Sequence, residues 1–212
     1  MDFPKTTQVN KRIPKQKFYE NLAVSPQVKR LFVEDVKGIY WANKIAPTTL
    51  SVTQGPQVGE IEVFRVLLAR ADIDEAVLRQ IDKGIPYHIL FVLEHEENFR
   101  FCIAYKEVSD SGACSKSERY YYSPWMDQES AALSLNGLTM DEIYEDLIRQ
   151  IAGAALVAET GSVKEDIALS QHQAALLREI EKLTKKARAE KQPKKKFELS
   201  QQVNRLKKEL SE

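Results

Sequence analysis

Apolar and polar positions are patterned most clearly between Ile85 and Val108, and the rest of the chain is organised around that stretch. Ile89, Leu90, Phe91, Val92 and Leu93 are consecutively apolar, as in a strand covered on both faces. From Phe99 the pattern alternates: Phe99, Phe101, Ile103 and Tyr105 on one side, Arg100, Cys102, Ala104 and Lys106 on the other. Two such runs around the polar tip Glu94 to Asn98 predict an antiparallel hairpin. Its first arm needs layers above and below it, and helices are the available material.

Upstream, residues 1 to 13 are polar and read as a loose arm. Lys15 to Val24 reads as a short helix with Phe18 and Leu22 inward. Ser25-Pro26 predicts a helix start, with serine as N-cap and proline where its missing N–H costs nothing. That helix carries Val28, Leu31, Phe32, Asp35 and Val36 and is expected to stop at Gly38. Ile39 to Ile45 and Glu60 to Ala69 read as strands, and Asp72 to Lys83 as a helix that Gly84 ends. A helix between two strands permits a parallel crossover into the hairpin. Ser109 to Glu118 is a Ser- and Gly-bearing linker, and Arg119 to Trp125 a short edge strand stopped by Pro124. Thr139 and Glu142 stand at capping-box spacing before a helix that runs to Gly161-Ser162. The body, residues 14 to 161, is thus α+β or α/β, a mixed sheet of about five strands with packed helices.

Residues 162 to 212 change character. Leu169, Leu176 and Leu183 lie seven apart, and Ile180 and Ala187 fall four after the last two, which is coiled-coil spacing weakened by Gln173. Beyond Gln192-Pro193, Leu199, Val203, Leu206 and Leu210 resume it. Two amphipathic helices joined at a proline fold back as an antiparallel hairpin, the first arm roughly 40 Å long. So short a seam gains from a partner, and a homodimer is one way to supply it.

Composition adds one asymmetry. The 31 Lys and Arg balance 31 Asp and Glu over the chain. From Leu176 onward, however, 12 cations face 6 acids, so the last helices are basic and the body acidic. Two cysteines without CxxC spacing, a polar start and no membrane-length apolar run point to the cytoplasm.

The blocks IPKQKFYENLAVSPQVKRLFVEDVKGIYWANKIAPTTLSV and IDKGIPYHILFVLE, with the Lys-rich close FELSQQVNRLKKEL, carry a resemblance over nearly the whole chain. They resemble the bacterial domain-of-unknown-function family numbered four-three-nine-one. The resemblance implies a cytoplasmic prokaryotic protein, often encoded beside helicase and DNA-methyltransferase genes of restriction–modification or phage-defence clusters. It brings no catalytic residues. Pro193 departs from the family pattern and favours a sharp hairpin over one continuous helix.

The candidate chemistry follows. Lys182, Lys185, Lys186, Arg188, Lys191, Lys194, Lys195 and Lys196 crowd the proposed turn, where they suit phosphates or an acidic partner. The plainer reading is a solvated helical face. Asp35, Glu60, Glu62 and Lys106 are the nearest to a metal-dependent nuclease set, although no strand carries an acid-x-lysine pair. His88 and His95, seven apart on one strand, face opposite sides and cannot share a metal. Cys102 reads as a small buried hydrophobe, and Cys114 has no paired His. Tyr120, Tyr121, Tyr122 and Trp125 read as one strand with alternate rings in the core, or as a base-stacking group. No metal or cofactor is expected. The expectation is a non-enzymatic accessory subunit of a DNA restriction–modification or phage-defence complex. A helicase- or methyltransferase-type protein would be its partner, with nucleic acid possible and no membrane. The alternatives are a restriction-type nuclease and a homodimeric interaction protein.

Overall fold

The computed structural model describes residues 3–20, 24–106, 119–156 and 161–211. It divides into two compact units, Met1–Gly153 and Ala154–Glu212.

The first unit is built on a mixed sheet ordered β1-β2-β3-β4-β5-β6, with β7 also on β5. The strands are β1 (Gln8–Ile13), β2 (Val36–Ile45), β3 (Ile61–Leu68), β4 (His88–His95), β5 (Asn98–Ala104), β6 (Tyr120–Tyr122) and β7 (Met126–Asp127). All neighbours are antiparallel except β3 and β4, which run parallel through the crossover helix α2 (Glu75–Gly84). The expected hairpin is β4–β5, closed by Glu96-Glu97 between paired His95 and Asn98. Helix α1 (Pro26–Asp35) starts at the Ser25 cap, whose hydroxyl accepts from Val28 N. Helix α3 (Met140–Ala152) starts at Thr139, which accepts from Glu142 N, and ends at Gly153 with φ +48° rather than at Gly161.

Alternation within β3 and β4 separates two buried layers. Phe64, Val66, Phe91 and Leu93 form one core with Phe32 of α1 and Val77, Leu78 and Ile81 of α2. Residues of opposite parity, Ile61, Val63, Leu90, Phe101 and Ile103, are buried too. On that side Tyr144 of α3 donates to the Ala104 carbonyl and stacks edge-on with His88. A strand covered on both faces requires this arrangement, which is why β4 is apolar throughout.

Three expectations change. Residues 8–13 are not a loose arm but the edge strand β1, paired with β2 and anchored by Asn43 donating to buried Thr7 at 2.9 Å. An edge strand with both faces largely in solvent has no apolar period to reveal it. Asn10, at φ +52°, occupies a register shift in that pair, a conformation asparagine tolerates. The second change is at Gly38, which does not end α1: the helix stops at Asp35, and Gly38 lies inside β2 at a bulge. A Cβ there would meet the Tyr40 ring at 3.2 Å, so glycine serves close approach rather than helix termination. Third, Lys15–Phe18 is a 3-10 turn rather than the start of a longer helix, and Leu22 lies outside the described residues. Lys15 has a different task, donating to the carbonyls of Phe32 (3.0 Å) and Val36 (2.7 Å) at the open end of α1. Burial lowers its pKa.

The second unit is a helical pair, α4 (Val163–Ala189) and α5 (Pro193–Ser211). Ser162 caps α4 by accepting from Glu165 N, and Pro193 opens α5 at the position where proline is favoured. His172 near the start of α4 lies 3.4 Å from Glu209 near the end of α5, which makes the pair antiparallel.

Candidate functional site

The proposed nuclease residues do not converge. Asp35 is buried at the end of α1 and bonded to Arg70, beside the end of β3 where Val36 faces Leu68. Glu62 faces Lys44 at the other end of β3, six positions away and roughly 20 Å along the strand. Lys106 lies just past β5, two strands from β3, and its ammonium is committed elsewhere. It pairs with Asp82 of α2 at 2.6 Å, with the side chains only 3% and 7% exposed. Tyr120 donates to the other Asp82 oxygen. Sequence order could not foretell this pair, because Asp82 and Lys106 meet only when α2 packs against β5. Among the described residues no group of three or more His, Cys, Asp or Glu is placed to hold a metal ion.

Glu60 and Glu62 do come together. Glu60 pairs with Lys44 at 2.5 Å. Glu62, 4% exposed, accepts from the Trp41 indole N–H at 2.5 Å. Burial, and then the neighbouring Glu60 charge, push the Glu62 carboxyl up to about 7. That carboxyl also hydrogen-bonds the carboxyl of Glu60 and feels the Lys44 ammonium, so these two acids meet each other and Trp41 rather than Asp35 or Lys106.

On the helical pair, Leu176, Ala187 and Val203 are buried, and Ile180, Leu183, Leu199, Leu206 and Leu210 are half-buried along the seam. Leu169 is the exception at 36% exposed. The first turns of α4 bury Val163, Asp166, Ile167 and Ser170 instead, so the seven-residue repeat does not extend back to Leu169. Leu169, Leu177 and Phe197 stand exposed on the two helices.

Lys182, Lys185, Lys186, Arg188, Lys191, Lys194, Lys195 and Lys196 are all exposed and cluster around the turn between α4 and α5. Glu190 is the one acid between positions 182 and 196. Lys182 reaches Glu179 at 3.4 Å and Lys185 reaches Glu181 at 2.7 Å, both in solvent. Lys186 and Arg188 complement the carbonyl end of α4. Lys194, Lys195 and Lys196 do the reverse: they occupy the first turn of α5, which has no acid, where the helix dipole disfavours positive charge.

The chain matches the family described as Domain of unknown function (DUF4391) over residues 1–210. It belongs to that family. No curated protein and no solved structure matches it. In this DUF4391 protein His88 is buried, and desolvation lowers its pKa to about 4, so the ring is neutral and its Nε2–H donates to the Lys106 carbonyl at 3.3 Å. Cys102 is fully buried and its thiol is pushed well up by burial, the opposite of an activated nucleophile. Cys114 lies outside the described residues. Tyr120 and Tyr121 are buried in β6, with Tyr122 half-buried beside them, so the tyrosine run is an edge strand rather than a base-stacking surface. No helix among the described residues is long and apolar enough to cross a membrane.

Proposed function

We propose that this DUF4391 protein is a non-enzymatic accessory subunit of a bacterial DNA restriction–modification or phage-defence complex. Its helical pair binds a larger protein partner, and the turn between its helices contacts nucleic-acid phosphates. The observation that carries this reading is the placement of Lys194, Lys195 and Lys196 in the first turn of α5. Three exposed cations at the positive end of a helix work against its stability by a few tenths of a kcal/mol or more each, roughly. Folding does not explain them; a phosphate backbone does, because the same end of the helix favours anions. The exposed Leu169, Leu177 and Phe197 support a protein partner on the same helices. The setting in a defence complex rests on the gene neighbourhood that the family resemblance implies.

The test is the binding of a short labelled DNA duplex by the full chain across a salt series. It is repeated with Lys194→Gln, Lys195→Gln and Lys196→Gln combined, since glutamine is about as good a helix former as lysine. The expected result is weaker binding and a log–log salt slope lowered by about 3, one unit per lost phosphate contact. Equal affinity and slope in the two proteins would remove the turn from any such role. Co-purification with the proteins of its genomic neighbourhood tests the partner, and light scattering tests whether that partner is a second copy.

A further inference from the structure

A cavity of about 440 Å³ opens at the first end of β3, on the sheet face that α1 and α2 cover. That size suits a small organic molecule. Phe18, Trp41, Phe64, Ile85 and Tyr87 make its walls largely apolar and aromatic, and one acid, Glu62, is set among them. Lys17, the cation of the lining, is exposed.

The charges around Glu62 do not balance. Glu60 on the same strand adds a second carboxylate, and Lys44 on β2 lies against Glu60 at 2.5 Å. Trp41 gives Glu62 a neutral N–H at 2.5 Å. Glu60 and Glu62 are hydrogen-bonded to each other and share the single Lys44 ammonium, so with Glu62 ionised two carboxylates face one cation and one negative charge is left uncompensated. A neutral apolar ligand would leave it so, and an anion would be repelled by both acids. An organic cation corrects the imbalance, because aromatic faces attract cations as well as apolar stems.

We propose that this cavity binds an organic cation, a primary ammonium or guanidinium on an apolar stem, with Glu62 as its counter-charge and Trp41 and Tyr87 against the stem. The cation is either a free amine or the side chain of a lysine or arginine on another protein; the chemistry is shared. The site lies within the first unit, so the proposal is independent of the one made for the helical turn.

Calorimetric titration of the full chain tests it with five probes: 2-phenylethylammonium, the neutral 2-phenylethanol, the anion 3-phenylpropionate, and the N-acetyl amides of lysine and arginine. The ammonium should bind at least about tenfold more tightly than the alcohol, the worth of one charge-assisted hydrogen bond, and the anion should not bind. Tighter binding of the acetylated amino-acid amides than of phenylethylammonium assigns the cation to a protein side chain, and the reverse assigns it to a free amine. Glu62→Gln should abolish the preference for ammonium over alcohol while the two bind equally weakly. Since the Glu62 carboxyl titrates near 7, ammonium affinity should rise several-fold from pH 6 to pH 8, while alcohol affinity stays flat. Should Glu62→Gln fail to fold, Tyr87→Ala at the half-open rim is the second variant, expected to weaken the ammonium several-fold. Equal binding of ammonium and alcohol to the native chain, no binding of either, or ammonium binding unchanged by the variant that folds would each overturn the proposal.

Discussion

The two units use the same charged residue types in opposite ways. In the first unit several are buried and committed, Lys106 with Asp82, Asp35 to the more exposed Arg70 and Glu62 to Trp41, beside solvent-facing pairs such as Arg30–Glu34. In the helical pair the contacts of Lys182 and Lys185 are exposed, and the remaining cations of the turn face solvent. Burial sets what a charge is worth. Removing one partner of a buried pair leaves an uncompensated ion in a low dielectric, whereas an exposed pair is replaced by water at little cost. The buried charges of the first unit therefore hold it together, whereas the cations at the turn of the second unit stand in solvent.

The sharpest way to break that contrast is Lys106→Met. It removes the buried ammonium from Asp82 and should cost about 3–5 kcal/mol of stability in chemical denaturation. A loss below about 1 kcal/mol would place this pair with the surface ones.

Next in size are the buried Glu62 and His88, whose pKa values are shifted and which act with opposite sign. Glu62 is raised to about 7 in the folded chain, so the native state holds its proton longer than the unfolded state does. Stability falls as pH rises from about 4.5 to 7, and Glu62→Gln should gain about 3 kcal/mol at pH 8 and almost nothing at pH 4. His88 is lowered to about 4, so here the unfolded chain holds the proton longer, and stability falls as pH drops from about 6.5 to 4. The two slopes oppose each other between about 4.5 and 6.5. The Glu62→Gln protein should therefore lose stability more steeply on acidification than the native one. Urea melts at a series of pH values check both claims.

Within the helical pair, Val203→Ala removes buried apolar surface from the seam and should cost about 1–2 kcal/mol, read from the helical signal on heating. Smallest of all is Glu181→Gln. Lys185 holds the Glu181 carboxyl below its usual range, yet both side chains stand in water. Its thermal unfolding should match that of the native chain, and a clear drop in Tm would mean that the turn's charges are structural after all.

The elements legible in the sequence are those whose signal is local. The β4–β5 hairpin, α2, the Ser25 and Thr139 caps and the leucine spacing of α4 and α5 were all visible as periods or cap residues within a dozen positions. The basic turn was legible for the same reason: its cations are neighbours in the chain, and its exposure follows from having no apolar partner face. Less of the chemistry was legible. Glu60 and Glu62 are visible as acids, but nothing within β3 announces that Trp41, twenty-one residues earlier, donates into Glu62. Leu169 shows the converse failure, a repeat extended one heptad too far, past the point where α4 turns a different set of residues inward.

From its residues alone, this chain specifies a mixed sheet with helices on it, followed by two seamed helices with a cationic bend. Periodicity and capping act over a few residues, so order along the chain suffices for them. Only the tertiary structure decides that a polar start becomes the edge strand β1, that Gly38 marks a bulge, and that Lys15 closes the end of α1. It alone decides which charges are dry. Desolvation depends on what packs around a group from distant parts of the chain, and that is why one lysine is locked to Asp82 while eight cations at the turn stay open to a partner.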